Sequence, residues 1–297
     1  MDTFNYYFAL VFDGVAYGCI YGLFALTFVA LFRANKIFNF AQTEVATLGV
    51  VLMLLLLKHM SFWSAMILTI LASFAFGVLL HVTIMRFLTE RRRGSHLSET
   101  IVTIGLFVIF NNISSYLIGD ETQPFPSPFG SDVLSLFGVP VSKQSLGIIV
   151  ASLLMTGCIF LVFRFTKLGL KFEAIAENAD AARLRGIRVS NLLAVAWGIT
   201  IMAGVFAALL IAPIQYVSPA MLISFFSYSL IAVVIGGLES PLGAIVGGII
   251  VGVVDNLAAN VSFIGSELRF LVIFALLLLV LLVRPRGLWG RAEARRV

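Results

Sequence analysis

Apolar residues fall in long blocks along this chain, divided by short polar stretches. Seven blocks have about the length of a membrane-crossing helix: 9–31, 41–57, 62–85, 98–118, 144–163, 191–212 and 268–283. A hydrocarbon layer of about 30 Å needs roughly 20 helical residues. An eighth stretch, 225–259, is apolar but interrupted by Gly236-Gly237-Leu238-Glu239-Ser240-Pro241. Its first part is short for a full crossing, and its second carries Gly243, Gly247, Gly248 and Gly252. The pattern predicts a broken or re-entrant helix pair there. The whole predicts an all-α polytopic membrane protein of about eight transmembrane segments, forming one domain over 1–297.

Composition narrows the class further. The chain is 60% hydrophobic and 12% charged, whereas soluble domains run at about 45–50% apolar and about 25% charged. So few charges cannot solvate the surface of a globule this size. Disorder and a disulfide scaffold are excluded by the same figures. Cys19 and Cys158 both fall inside apolar blocks and suggest neither a bridge nor a metal site. The first 32 residues hold no Lys or Arg, so no cleavable signal peptide is expected.

The distribution of basic residues sets an expected orientation. Segments 32–39, 86–97, 164–190 and 284–297 hold 17 of the 20 Lys and Arg, and the alternate segments hold only Lys58, Lys143 and Arg269. The positive-inside rule places the first set in the cytoplasm, with the N-terminus outside and the C-terminus inside. The net charge of +5 is the usual bias of cytoplasmic loops, and no nucleic-acid partner is expected. The outer loop 119–143 carries Asp120, Glu121, Asp132 and four prolines. It reads either as a solvated connector or as a docking surface.

Segment 167–190, KLGLKFEAIAENADAARLRGIRVS, breaks the apolar pattern. Phe172, Ile175, Ala179 and Ala182 recur with helical spacing. Glu173, Glu177 and Asp180 precede Arg183, Arg185 and Arg188, an order that complements a helix dipole, and Gly186 stands where a glycine would stop the helix. These features predict one cytoplasmic helix over about 171–186, too polar to insert. Two roles stay open: a helix that caps the bundle or lies in the headgroup layer, and a lever that docks into a cytosolic partner.

Several blocks together resemble one family. Glu177-Asn178-Ala179-Asp180-Ala181-Ala182-Arg183-Leu184-Arg185-Gly186-Ile187 is similar to the EAA-type coupling loop of ABC importer permeases. Asn39-Phe40-Ala41-Gln42-Thr43-Glu44, the run Val234 to Ala244 with Gly247-Gly248, and Arg284-Pro285-Arg286-Gly287-Leu288-Trp289-Gly290 resemble motifs of the branched-chain amino acid (LIV-type) subfamily, in family order. The departures are Gln42-Thr43 in place of His-Gly or Gln-Gly, Glu173 in place of a basic residue, and Glu239 in place of a small one. The resemblance implies an ABC importer permease architecture in a bacterial or archaeal inner membrane. It implies a second permease subunit, expected as a heterodimer, with two cytosolic ATPase subunits and an extracytoplasmic solute-binding protein. Branched-chain or related amino acids are the implied solute, with urea, amides and other small organic solutes also carried in the family. The coupling residues it implies are Glu173, Glu177, Ala179, Ala182 and Gly186.

Within the membrane, Asn39 is expected to cap the second span, with Gln42 completing a capping box. Glu44 lies about 7 Å into the same helix, where the dipole favours a carboxylate and an ionisable group in a span is a functional candidate. Asn39, Gln42, Glu44, Gly236, Gly237 and Gly243 form the expected wall of the translocation pathway. Asn111, Asn112, Asp255 and Asn256 lie in outer halves of spans, where they bond between helices or meet a zwitterionic solute. His59, His81 and His96 lack metal-ligand spacing, and the chain lacks GxxxxGK[ST]. No cofactor and no catalytic residue are expected, so ATP hydrolysis belongs to partner subunits. The rival reading is a stand-alone secondary transporter or channel. It would want buried charges for coupling ions, and few are present.

Overall fold

Every predicted block is helical in the computed structural model, which describes residues 3–91, 96–119, 121–130, 132–136, 138–261 and 265–290. Asp120, Arg92, Arg93, Arg291, Arg295 and Arg296 lie outside the described residues, as does the side chain of His96. The apolar helices are α1 (Thr3–Asn35), α2 (Gln42–Leu57), α3 (Phe62–Leu80), α5 (His96–Ile118), α6 (Lys143–Phe165), α9 (Val189–Gln215), α10 (Ile223–Gly236), α11 (Pro241–Ala259) and α12 (Gly265–Val283). Six of the nine are long and apolar enough to cross a membrane, and three are shorter. Two of these helices, α10 and α11, lie where the pattern predicted a broken or re-entrant pair. A π-helical turn, His81–Met85, joins α3 to the short α4 (Arg86–Arg91).

Two compact units emerge. One comprises the chain up to Val29, Ser127–Leu153 and the chain from Ser224 onward. In it, Gly14, Gly18 and Gly22 recur every four residues along one face of α1. A Cβ on Gly18 would lie 2.6 Å from the Cα of Ile249, and one on Gly22 3.0 Å from the carbonyl oxygen of Ile245. Small residues let transmembrane helices approach this closely and gain dispersion contacts along their backbones. α11 packs its other side on α12. Pro241 opens α11 at a position where a missing N–H costs nothing, and Ser240 caps it by accepting from the Gly243 N–H at 3.0 Å.

The turn between α10 and α11 is held by the segment that follows α12. Leu288 N–H donates to the Ile235 carbonyl at 2.8 Å, and Trp289 N–H to the Gly236 carbonyl at 3.1 Å. Those donors follow directly on the end of α12, so the α10–α11 turn reaches as far as α12 does. The loop 119–143 carries a feature the sequence pattern did not reveal, a hairpin of β1 (Val133–Leu136) and β2 (Val139–Ser142). Lys143 fastens it to α6 through the Asp132 carbonyl at 3.1 Å and the Asp132 carboxylate at 2.6 Å. The ammonium holds that carboxyl below its ordinary range.

The second unit comprises Ala30–Pro126 and Leu154–Ile223. α9 is its buried centre, packed on α3 and α2, and α2 packs also on α5. Glycines again set the spacing. A Cβ on Gly77 would stand 2.6 Å from the Trp197 carbonyl oxygen, and one on Gly49 2.6 Å from Val205.

Candidate functional site

The polar segment after α6 is two helices, α7 (Lys167–Glu177) and α8 (Ala179–Leu184), and not the single helix expected over 171–186. The break has a local cause at Asn178, whose backbone is extended at φ −158° and ψ 103°. Its side-chain oxygen accepts from the N–H groups of Asp180 and Ala181, each at 3.0 Å. Asn competes for backbone donors in this way and favours caps over helix interiors. α8 ends as expected at Gly186, which adopts φ +79°. The Ile187 N–H bonds to the Ala182 carbonyl and the Gly186 N–H to the Arg183 carbonyl, a Schellman stop.

Burial separates the two faces of this arm. Phe172, Ile175 and Ala182 are buried, and α7 and α8 both pack on α9. Ala182 therefore serves the chain's own packing, where the sequence suggested a groove in a partner. Ala179 is half-buried, and Glu173, Glu177 and Gly186 are exposed. The exposed face also presents Leu184, 91% accessible, beside an Asp180–Arg183 ion pair at 2.9 Å. An apolar side chain that open on a charged helix was not singled out by the sequence, although its offset from the alanine stripe was visible.

A second polar group surrounds the start of α2. Residue Ala41, not Asn39, occupies the N-cap position, and no side chain caps the helix. The reason is a longer-range competitor. Gln42 Nε2 donates to the Thr200 carbonyl of α9 at 2.8 Å, while its Oε1 accepts from Asn39 Nδ2 at 3.2 Å. On the other side, Glu44 Oε2 accepts from Asn111 Nδ2 of α5 at 3.1 Å. Asn39, Gln42 and Glu44 are each 1% exposed. Asn39 Oδ1, Thr43 Oγ1 and Glu44 Oε1 have no hydrogen-bond partner among the described residues. Thr200 stands about 16 Å along α9 from Val189 at the helical rise per residue. α2 thus begins deep within its unit, and the non-helical chain before it is backbone at that depth.

Gly236, Gly237 and Gly243 form a separate group, in the unit of α10, α11 and α12. Gly236 and Gly243 touch through their backbones, and a Cβ on either would overlap the carbonyl of the other. Gly237 has φ +105°, and a Cβ there would lie 2.9 Å from the Gly290 nitrogen. Their surroundings are the chain's own backbone.

Asp255, expected to bond between helices or to meet a solute, does bond between helices, with partners that the sequence did not single out. Asp255 of α11 faces Arg269 of α12, with Nε 3.8 Å from Oδ1. Tyr21 of α1 donates to Asp255 Oδ2 at 2.9 Å. The Tyr21 ring lies 5.1 Å from that of Phe225 and 5.3 Å from that of Tyr228, and Tyr228 lies 5.9 Å from Phe270. On α1, Asp13, one turn from Tyr17, accepts from Ser145 of α6 at 2.7 Å. The signal was present as Asp13, Tyr17 and Tyr21 at every fourth residue, and as two opposite charges each one turn from a helix end.

Comparison with known proteins gives a consistent result. The model of a family described as branched-chain amino acid transport system / permease component matches residues 10–281. The chain is 26% identical to the high-affinity branched-chain amino acid transport system permease protein LivH of Escherichia coli K12, covering 100% of this chain and 99% of that one. It is 27% identical to BraD of Pseudomonas aeruginosa, a protein of the same description, over the full length of both. Among solved structures, a metal-chelate type ABC transporter in an inward-facing conformation is similar with a TM-score of 0.48 and 17% identity, over 92% of this chain and 85% of that chain.

Proposed function

The chain belongs to the permease-component family of branched-chain amino acid transport systems, and from that premise we propose that it forms one membrane-spanning half of an importer for leucine, isoleucine and valine. Its relatives carry that description over their whole length, which is the observation that supports the solute. The partners in this reading are a second permease chain, two cytosolic ATPase subunits and an external solute-binding protein. The assembly lies in a bacterial or archaeal inner membrane, N-terminus outside and C-terminus inside.

Force enters through α7 and α8 in this reading. Leu184 and its flanking charges dock into a groove on an ATPase subunit, with Glu173, Glu177 and Gly186 on the same exposed surface. Phe172, Ile175 and Ala182 anchor the arm to α9, so a push on Leu184 moves α9. α9 in turn holds α2 through Gln42 and the Thr200 carbonyl. A contiguous packed path of this kind is what mechanical coupling requires. Asn39, Gln42 and Glu44, buried at the start of α2, stand next to the pathway in this reading. Gly236, Gly237 and Gly243 serve it indirectly, by holding the α10–α11 turn against 284–290.

The test is Leu184→Asp, read by ATPase pull-down and leucine uptake in membranes with equal permease levels. Both are expected to be lost while the chain still inserts. Retention of both removes Leu184 from the docking surface. Uptake by the wild-type chain in vesicles without any ATPase overturns the ATP-driven reading.

A further inference from the structure

α5 has two unlike faces. On one, Thr103, Leu106, Phe110 and Ser114 are buried, and Thr103 Oγ1 accepts from the Phe40 N–H at 3.3 Å. Asn111 turns to that side, where its Nδ2 reaches Glu44 and, at 3.5 Å, the Pro219 carbonyl. Its neighbour Asn112 stands about 100° further round the helix and is exposed. Asn112 Nδ2 donates to the Val108 carbonyl of its own helix at 2.7 Å. That bond leaves the second amide hydrogen and the side-chain oxygen without a partner among the described residues. Away from the helix ends, Asn112 is the one exposed amide of the nine apolar helices among the described residues. It lies about 9 Å before the end of α5 at Ile118. Tyr116, 89% exposed, stands one turn beyond it, at the level where aromatic side chains mark a membrane interface. Asn112 is therefore inside the apolar layer, where an amide with unmet hydrogen bonds is costly and Asn side chains bond across to neighbouring helices. Eight large side chains between Leu97 and Leu117 surround it at 41–89% exposure. They offer on the order of 800 Å², the share of one partner in a stable interface. Gly105, two turns from Asn112 on the same face, has nothing within 4 Å of an added Cβ, so a bulky side chain from outside has room there. The exposed face of α3, by contrast, is Ile67, Leu68, Leu71, Ala75 and Leu79, apolar throughout as lipid requires.

We propose that the outer face of α5 is the surface on which the second permease chain packs, through a membrane-spanning helix that meets the Asn112 amide with a polar side chain of its own and lays a bulky side chain over Gly105. This deepens the reading above and rests on its second permease chain. Lipid tails would cover the apolar residues equally well, but they offer nothing to an amide at that depth. A soluble subunit cannot reach a face that lies between the ends of a membrane-spanning helix. What remains is another helix in the same layer, which supplies both the hydrogen bond and the close fit. α5 then stands between two settings. Asn111 on one side holds Glu44 at the start of α2, and Asn112 on the other holds the partner. A shift between the two permease chains therefore reaches the polar start of α2 through the thickness of one helix.

The experiment places a benzophenone photocrosslinker in turn at Ile101, Val108 and Leu71, in cells producing the complete transporter with the second permease chain tagged. Illumination should join the Ile101 and Val108 positions to the tagged chain and leave the Leu71 position of α3 unjoined. Asn112 bonds only within its own helix, so Asn112→Leu should leave recovery of this chain unchanged. The same variant should lower retention of the tagged chain in a pull-down about threefold to thirtyfold, the range for one interhelical hydrogen bond. Asn112→Gln keeps an amide and should retain most of it. Gly105→Leu fills the open space and should lower retention as well, with this chain again recovered normally. Joining of the Ile101 and Val108 positions to a second copy of this chain, to an ATPase subunit, to the external binding protein or to no protein overturns the proposal. Unchanged retention in both Asn112→Leu and Gly105→Leu does the same. Retention of the tagged chain and ATP-dependent leucine uptake by the wild type, measured in the same membranes, test the two-permease reading separately. If the wild type passes both and the α5 positions still fail to join the tagged chain, the surface alone is wrong.

Discussion

A methyl group on Gly252 would fall on the backbone nitrogen and Cα of Gly18, so α1 and α11 meet main chain to main chain. Gly248 stands one turn away against Gly22 in the same manner. No side chain can be inserted there without separating the helices. Gly18→Val and Gly252→Leu should therefore abolish the folded chain, with recovery on size exclusion in detergent falling more than tenfold. Gly105→Ala and Gly157→Ala, where nothing lies within 4 Å of the new Cβ, are the matched controls and should leave recovery unchanged.

Two glycines with positive φ should respond unequally. At Gly237 a Cβ meets both an unfavourable φ of +105° and the Gly290 backbone, while at Gly186 it meets only φ +79° in open space. Backbone strain of this kind costs about 1–3 kcal/mol. Gly237→Ala should lower the melting temperature of the purified chain clearly more than Gly186→Ala. Equal shifts would mean that 284–290 does not bear on the α10–α11 turn in solution.

Asn178 separates the arm into two helices with a single side-chain oxygen. Asn178→Ala removes an N-cap worth about 1 kcal/mol and should let α7 and α8 run together, turning Leu184 away from its present direction. ATPase pull-down is expected to fall with Ala and to survive with Asp, which keeps the acceptor. Identical pull-down in both variants would detach the break from docking.

At the start of α2 the two neighbours should also diverge. Gln42→Ala removes the link to the Thr200 carbonyl and leaves the buried Asn39 amide without its acceptor, at a cost of about 1–3 kcal/mol for an unsatisfied buried group. Uptake should drop severalfold. Glu44→Gln keeps an acceptor for Asn111 and should leave uptake within about twofold, since a neutral amide is cheaper to bury than a carboxylate. A larger loss in Glu44→Gln would assign its charge a direct part in passage.

Orientation is open to reporter fusions placed after Lys143 and after Val297. An external signal from the first and a cytoplasmic signal from the second are expected from the split of basic residues. The reverse result at either site would overturn the topology.

The helices were legible because each apolar block is long and uniform, and periodicity over such lengths leaves little choice. Gly186 was legible as a helix stop because its requirement is local, a backbone conformation that glycine adopts freely. Asn39 was misread for the opposite reason. The capping box is a local pattern, and a carbonyl far along the chain on α9 outcompeted it for the Gln42 amide. Ala182 suffered the same limit, since an alanine stripe shows that a face is packed but not what packs on it. The Asp255–Arg269 pair joins α11 to α12 across a loop, and its third member, Tyr21, comes from α1, so spacing alone could not bring them together.

The depth at which α2 begins also has a consequence for how the protein is made. At 16 residues, α2 is about 24 Å long, so it offers the insertion machinery an incomplete span. The acceptor that secures its first residue lies 158 positions downstream. At about 5–20 residues per second, the ribosome needs roughly 8–30 seconds to deliver Thr200 after Gln42 has been synthesised. Through that interval the non-helical segment before α2, with Asn39 in it, lacks its native setting. The early part of this chain must therefore be sheltered, by the translocon or by a membrane chaperone, until α9 arrives.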